Sequence, residues 1–266
     1  MAISQTAGQK GGIEMNWEPL NSELISTISM GIQYHHGLCR KTGVLYQRIA
    51  EFPCDIESKV KFILWHWGWD GTHREEAGRI MSSIKDIGFT IPENIKLFYE
   101  QLYGLTIPMK KKKIPADEYG GALRFRFAEK GDVPLKDWLI GAEFLSAKFD
   151  DDILPIGYRI NYNGFSSSGQ QINGWEDPHY RPCGAWGYEL HLGSSGKVYG
   201  WDTETSDYIG IEAENVTSFL ASAFGLIYDT EHLYGYTSDA DFAQIEEIEK
   251  LWNQGQYKQN LIRGNT

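Results

Sequence analysis

The stretch YELHLGSSGKVYGW, residues 188–201, decides the fold class of this chain. Two runs rich in β-branched, aromatic and alternating apolar residues flank Gly193-Ser194-Ser195-Gly196, which reads as a hairpin with a four-residue loop. Outward from it, Ile153 to Ile160 (ILPIGYRI) reads as a further strand. Leu123, Phe125 and Phe127 alternate with Arg124 and Arg126 in another, and Tyr208 to Ile211 closes the set. Val216, Phe219, Leu220, Ala223 and Phe224 then recur at helical spacing, and a last amphipathic helix points Phe242, Ile245, Ile248 and Trp252 inward.

Upstream the pattern is helical. Ser22–Met30 turns Leu24, Ile25 and Ile28 inward, and Ile56, Val60, Ile63, Leu64 and Trp67 form one stripe. Ala77, Ile80, Met81 and Ile84 form the next, with Thr72 and Glu75 at the spacing of a capping box. Gly88-Phe89-Thr90-Ile91-Pro92 breaks the run. The helix that follows carries Ile95, Phe98, Tyr99 and Leu102 on one face, and Gly104 stands where it ends. Residues 161–187 are rich in Gly, Asn, Ser and Pro and read as a long loop, and the first dozen residues as a flexible tail.

Net charge is −11, and it is unevenly spread: residues 140–250 hold 19 Asp and Glu against 5 Lys and Arg. Such a surface repels nucleic acid and attracts a basic partner, although acidity also serves solubility alone. Three cysteines at scattered spacings make no disulfide framework. Nothing near the N-terminus resembles a secretory signal, and no apolar run is long enough for a bilayer. The expected compartment is a reducing cytoplasm, with no membrane association.

Three segments are more particular. Ile87 to Tyr99 (IGFTIPENIKLFY), Ile153 to Gly157 (ILPIG), and Leu190 to Asp202 followed by Ile211 to Leu220 occur in the order of a known pattern. Together they resemble the SUKH superfamily over about residues 81–226. The resemblance implies an antiparallel sheet with helices packed on one side, no catalytic residues and a protein-binding role. Bacterial members are mostly immunity proteins that neutralise a cognate toxin, often a nuclease or deaminase; fungal members resemble scaffolds of cell-wall signalling. The stretch 105–150 is longer and more basic than that pattern, and the helical residues 20–80 and 228–255 lie outside it.

The chemical candidates are weak beside this. No dinucleotide fingerprint, P-loop, zincin motif or nucleophile elbow is present, and Gly164 to Gly169 has the wrong spacing for the last. Trp65-His66-Trp67-Gly68-Trp69-Asp70-Gly71-Thr72-His73 could stack a sugar or base, or hold a metal through His66, Asp70 and His73. Large aromatics more often supply core area. His179 with Cys183, and His35-His36 with Cys39, lack the further ligands that zinc needs. Asp150-Asp151-Asp152 lacks the spacing of a calcium loop and reads as a solvated turn, and the lysine run 110–113 as a solvated loop face.

The expectation is therefore an α+β protein in three parts. Residues 1–80 form a tail and helical extension, 81–227 a SUKH-like domain, and 228–266 a final helix and tail. It carries no cofactor and no metal, is not an enzyme, and neutralises a basic toxin. Contact would run through Trp175, Glu176, Asp177, Tyr180, Trp186, Asp202 and Glu204, with Asp150, Asp151 and Asp152 at the rim. The alternatives are an intracellular scaffold that assembles through its helical flanks and, more remotely, a carbohydrate-active enzyme using paired carboxylates.

Overall fold

The computed structural model describes residues 17–34, 42–72, 74–110, 119–128, 134–161, 188–202, 208–227, 233–235 and 238–255. Five helices come first: α1 (Ser22–Gly31), α2 (Thr42–Glu51), α3 (Ile56–His66), α4 (Glu75–Ile87) and α5 (Glu93–Leu102). Strands β1 (Thr106–Lys110) and β2 (Tyr119–Arg124) precede α6 (Leu135–Phe149). Then come β3 (Ile153–Asn161), β4 (Tyr188–Gly193), β5 (Val198–Asp202) and β6 (Tyr208–Ala213). The order ends with α7 (Val216–Ala223), β7 (Leu233–Gly235) and α8 (Asp239–Asn253). The seven strands form one antiparallel sheet in chain order, so the class is α+β.

Local chemistry sets many of the boundaries. Asn21, Asp55 and Asn215 each accept the backbone N–H three residues on, at 2.8 Å, and open α1, α3 and α7. Ser238 and Asp241 form a reciprocal capping box that opens α8. The box expected from Thr72 and Glu75 does not form. Thr72 instead donates its N–H and hydroxyl to Asp70, at 3.0 and 2.6 Å, and α4 begins at Glu75 without a side-chain cap.

The ILPIG segment owes its residues to a bulge in β3 between Pro155 and Gly157. Proline is admitted to this interior strand because the ladder is interrupted there. Pro155's carbonyl accepts the Tyr99 hydroxyl of α5 at 2.7 Å. Gly157 has φ +146°, and a Cβ on it would stand 2.0 Å from the Arg124 carbonyl oxygen, so no other residue fits.

Helices cover both faces of the sheet, not the one expected. Side chains paired across β4 and β5 share a face, so Leu190, Leu192 and Val198 point one way. They join a core that contains Ile95 and Phe98 of α5, Phe219 and Leu220 of α7, and Val60, Ile63 and Ile84 of the N-terminal helices. Glu189, His191, Tyr199 and Trp201 point the other way. There α6 and α8 lie over them, with Phe144 against Trp201 and Ile248 packed with Ile209.

The N-terminal helices share this core instead of standing apart from it. The boundary drawn at residue 80 falls inside α4, whose Ala77, Ile80 and Ile84 are buried with the sheet residues. Three elements went unforeseen: β1, α6 and β7, the last of which adds a strand beyond β6. Along α6, Trp138 to Leu145 are eight consecutive buried positions, so no polar face marks the helix in the sequence. In α8, Ile248 is buried, but Phe242, expected inward, is 40% exposed.

Candidate functional site

The tryptophan cluster is tied into the fold by its described members, while His73, the third metal candidate, lies outside the described residues. Trp67 Nε1 donates to the Tyr46 hydroxyl at 2.9 Å, Trp69 Nε1 donates to Gln101 Oε1 at 3.0 Å, and His66 Nδ1 is paired with the Tyr34 hydroxyl at 2.9 Å. Asp70 is committed to Thr72. Among the described residues no group of His, Cys, Asp and Glu is placed to hold a metal.

The expected contact residues divide. Trp175, Glu176, Asp177, Tyr180, Trp186 and Glu204 lie outside the described residues. The strands that bracket them are informative all the same. Arg159 pairs with Tyr188, Tyr188 with Asp202, and Asp202 with Tyr208, so the β3–β4 and β5–β6 connections start from one end of the sheet. Asp150, Asp151 and Asp152 precede Ile153, which pairs with Gly193 at the opposite end of β3. A nine-residue strand at about 3.3 Å per residue separates the two groups by roughly 26 Å.

Asp151 is not a rim acid and the turn is not simply solvated. Its carboxylate is buried and accepts the Ser194 hydroxyl at 2.6 Å, the Ser195 N–H at 3.1 Å, the Ser195 hydroxyl, and the Tyr199 hydroxyl at 2.9 Å. Burial pushes its pKa up, but the bonds from Ser194, Ser195 and Tyr199 outweigh it and hold the group below its ordinary value. Gly193 leaves the room: a Cβ there would lie 1.9 Å from Asp151 Oδ2. Asp151 thus clasps the hairpin loop onto the end of α6. Asp150, the left-handed C-cap of α6, is the exposed member of the triplet.

A second buried acid, Glu212, holds Arg159 at 2.9 Å and accepts the Tyr188 hydroxyl, while the Arg159 guanidinium lies 5.1 Å over the Tyr188 ring. Gly200 admits that ring, since a Cβ on it would fall 2.2 Å from Tyr188.

On the α6 face two polar groups, the His191 ring and Glu189 Oε2, are left without a hydrogen bond among the described residues. His191 is fully buried, and neither ring nitrogen has a hydrogen-bond partner; Glu189 Oε2 is likewise shielded and unbonded, 3.7 Å from His191 Nε2. Trp138 packs its ring on His191, and Gly141 lets α6 approach Trp201 and Glu189. Burial, helped by the charge of Asp137, pushes Glu189 up to about 8, and burial drives His191 down to about 3. Sequence reading passed over both residues, because a strand that alternates gives no hint of which face a helix covers.

Charge is displayed on α8. Asp239, Glu246, Glu247 and Glu249 are exposed, beside the half-exposed Phe242. Phe242, Glu246 and Glu249 stand at i, i+4 and i+7, which is one helical face. Lys148 binds Asp241 at 2.6 Å, tying the start of α8 to the end of α6 and so bringing Asp239 into the neighbourhood of Asp150. Among the described residues no helix is long and apolar enough to cross a membrane. Compared with protein-family models, with curated proteins and with solved structures, the chain matches none.

Proposed function

We propose that this protein is a binding module that captures a basic protein partner, of the toxin-neutralising kind implied by the resemblance to the SUKH superfamily. The observation that carries the reading is the segregation of charge: 19 acidic against 5 basic residues between 140 and 250. Electrostatic complementarity of this kind raises association rate and specificity. The outer face of α8, with Asp239, Glu246 and Glu249 around Phe242, offers an apolar anchor ringed by acids. Asp202, the last residue of β5, supplies a second acid within the same proposal, and Asp151 is left out of it.

The scaffold reading placed assembly on the apolar faces of the helical flanks. In the N-terminal flank those faces are largely spent on the core, with Ile28, Ile49, Val60, Ile63 and Ile84 all buried within it. That burial counts against assembly through the N-terminal helices.

The test is affinity capture from the host's lysate and medium at low and high salt, using the unmodified protein and a Glu246→Lys/Glu249→Lys variant. A basic toxin domain retained at low salt, released at high salt and lost with the variant is the expected result. Retention that ignores both salt and the double charge reversal, or the absence of any basic protein, overturns the reading.

A further inference from the structure

We propose that Glu189 and His191 form a buried site for a single proton beneath α6, and that the occupancy of this site controls how firmly α6 is held on the sheet. The two side chains project from the same face of β4, two residues apart, with Glu189 Oε2 3.7 Å from His191 Nε2. Among the described residues no hydrogen bond reaches either ring nitrogen of His191 or that oxygen, and 3.7 Å is too long for one between the two. No cation among the described residues is paired with either side chain. From α6 come Asp137, which adds negative potential, and Glu143, which is turned toward α8 and bonded by Trp252 Nε1 at 3.0 Å. Tyr158 of β3 lies opposite Glu189 and is bonded by Arg124 of β2 at 3.0 Å. On the other side β5 places Trp201 opposite Glu189 and Tyr199 opposite His191, with the Tyr199 hydroxyl donated to Asp151 at 2.9 Å.

With one proton between them the pair is neutral overall, whichever residue holds it. A second proton leaves a buried cation, and loss of the first leaves a buried anion beside Asp137. Either is costly in a low-dielectric site. The pair therefore titrates as a unit. With α6 docked it keeps its single proton from about pH 3 to about pH 8. Released to water, the groups return to their ordinary values of 4.5 and 6.5, and hold one proton only between those limits.

The sign follows by linkage. Between pH 4.5 and 6.5 docked and undocked states bind the same number of protons, and docking is independent of pH. Above 6.5 undocking releases a proton, so it becomes easier as pH rises, until the docked pair also loses its proton near 8. Below 4.5 undocking takes up a proton and becomes easier as pH falls. Over the upper limb the opening equilibrium of α6 rises by up to tenfold per pH unit, about thirtyfold in all.

Amide hydrogen exchange of Trp138 to Leu145, corrected for intrinsic exchange rates and followed from pH 5 to 8.5 on the full chain, reads this opening directly. The opening constant is expected to stay level to pH 6.5, climb about thirtyfold by pH 8 and then level off, and the climb is expected to vanish in Glu189→Gln. A wild-type profile that is flat above pH 6.5, or a climb that survives in Glu189→Gln, overturns the proposal. A second measurement needs no variant: the assigned ring protons of His191, followed by NMR, should show no step near pH 6.5 and one near pH 8 as its neighbour ionises. A His191 that titrates near 6.5 sinks the idea.

Discussion

Asp151 and Glu189 are both shielded acids within reach of the β4–β5 hairpin, and the fold treats them in opposite ways. Asp151, at the loop end, is met by three hydroxyls and a backbone N–H, so its charge is stabilised and its pKa is held down. Glu189, under the middle of α6, meets indole rings and a histidine without a hydrogen bond to its Oε2, so its neutral form is favoured and its pKa is driven up. Burial alone does not say what a carboxylate is for. The donors around it do.

The largest expected effect comes from breaking the satisfied acid. Asp151→Ala strands the Ser194, Ser195 and Tyr199 donors and frees the hairpin loop, with an expected loss of about 3 kcal/mol in denaturant unfolding at neutral pH. The sign with pH is that of a depressed acid. The stabilisation from Asp151 is complete above its ordinary 3.8 and disappears as pH falls through its lower folded value. Asp151→Asn should therefore flatten that acid limb.

Next in size is the unsatisfied acid. Between pH 6.5 and 8 the wild type should lose about 2 kcal/mol of unfolding free energy if opening under α6 is part of global unfolding, and Glu189→Gln should lose none of it. Equal slopes for the two proteins in urea titrations at these pH values would erase the contrast with Asp151.

A smaller effect sharpens the geometry. A Cβ on Gly141 would stand 2.7 Å from the Trp201 ring and 3.6 Å from Glu189 Oε2, whereas one on Gly78 in α4 meets nothing within 4 Å. Gly141→Ala should cost about 1–2 kcal/mol by wedging α6 off the sheet, and Gly78→Ala should gain up to about 1 kcal/mol from helix propensity. Thermal unfolding of the pair gives both signs in one experiment. The smallest effect belongs to the exposed Glu75–Arg79 pair, whose side chains are 85% and 76% exposed. Glu75→Ala should shift stability by less than about 0.5 kcal/mol, as measured by the same melts.

Much of the frame was legible along the chain. The stripe through Ile95, Phe98, Tyr99 and Leu102, the hairpin around Gly193 to Gly196, and the strand from Ile153 each carry their pattern within a dozen residues, whereas the bulge at Pro155–Gly157 showed only in the structure. The wrong expectations share a cause. Thr72 had two competing partners, and only the neighbouring Asp70 decided between a cap and a turn. Phe242 fits an amphipathic stripe, yet the stripe that meets α6 runs through Ile245, Ile248 and Trp252 and leaves Phe242 at its border.

The sequence by itself determined the α+β class, most of the helices, the central strands and the concentration of acid between 140 and 250, because these depend on local periodicity, turn chemistry and counting. Only the tertiary structure decided that α6 is a helix at all, that both sheet faces are covered, that Asp151 turns inward, and that Glu189 and His191 are sealed together. A helix buried on every side has no period to read. The state of a buried acid is set by donors such as Ser194, Ser195 and Tyr199, more than 40 residues from Asp151 in the chain and within about 3 Å in space.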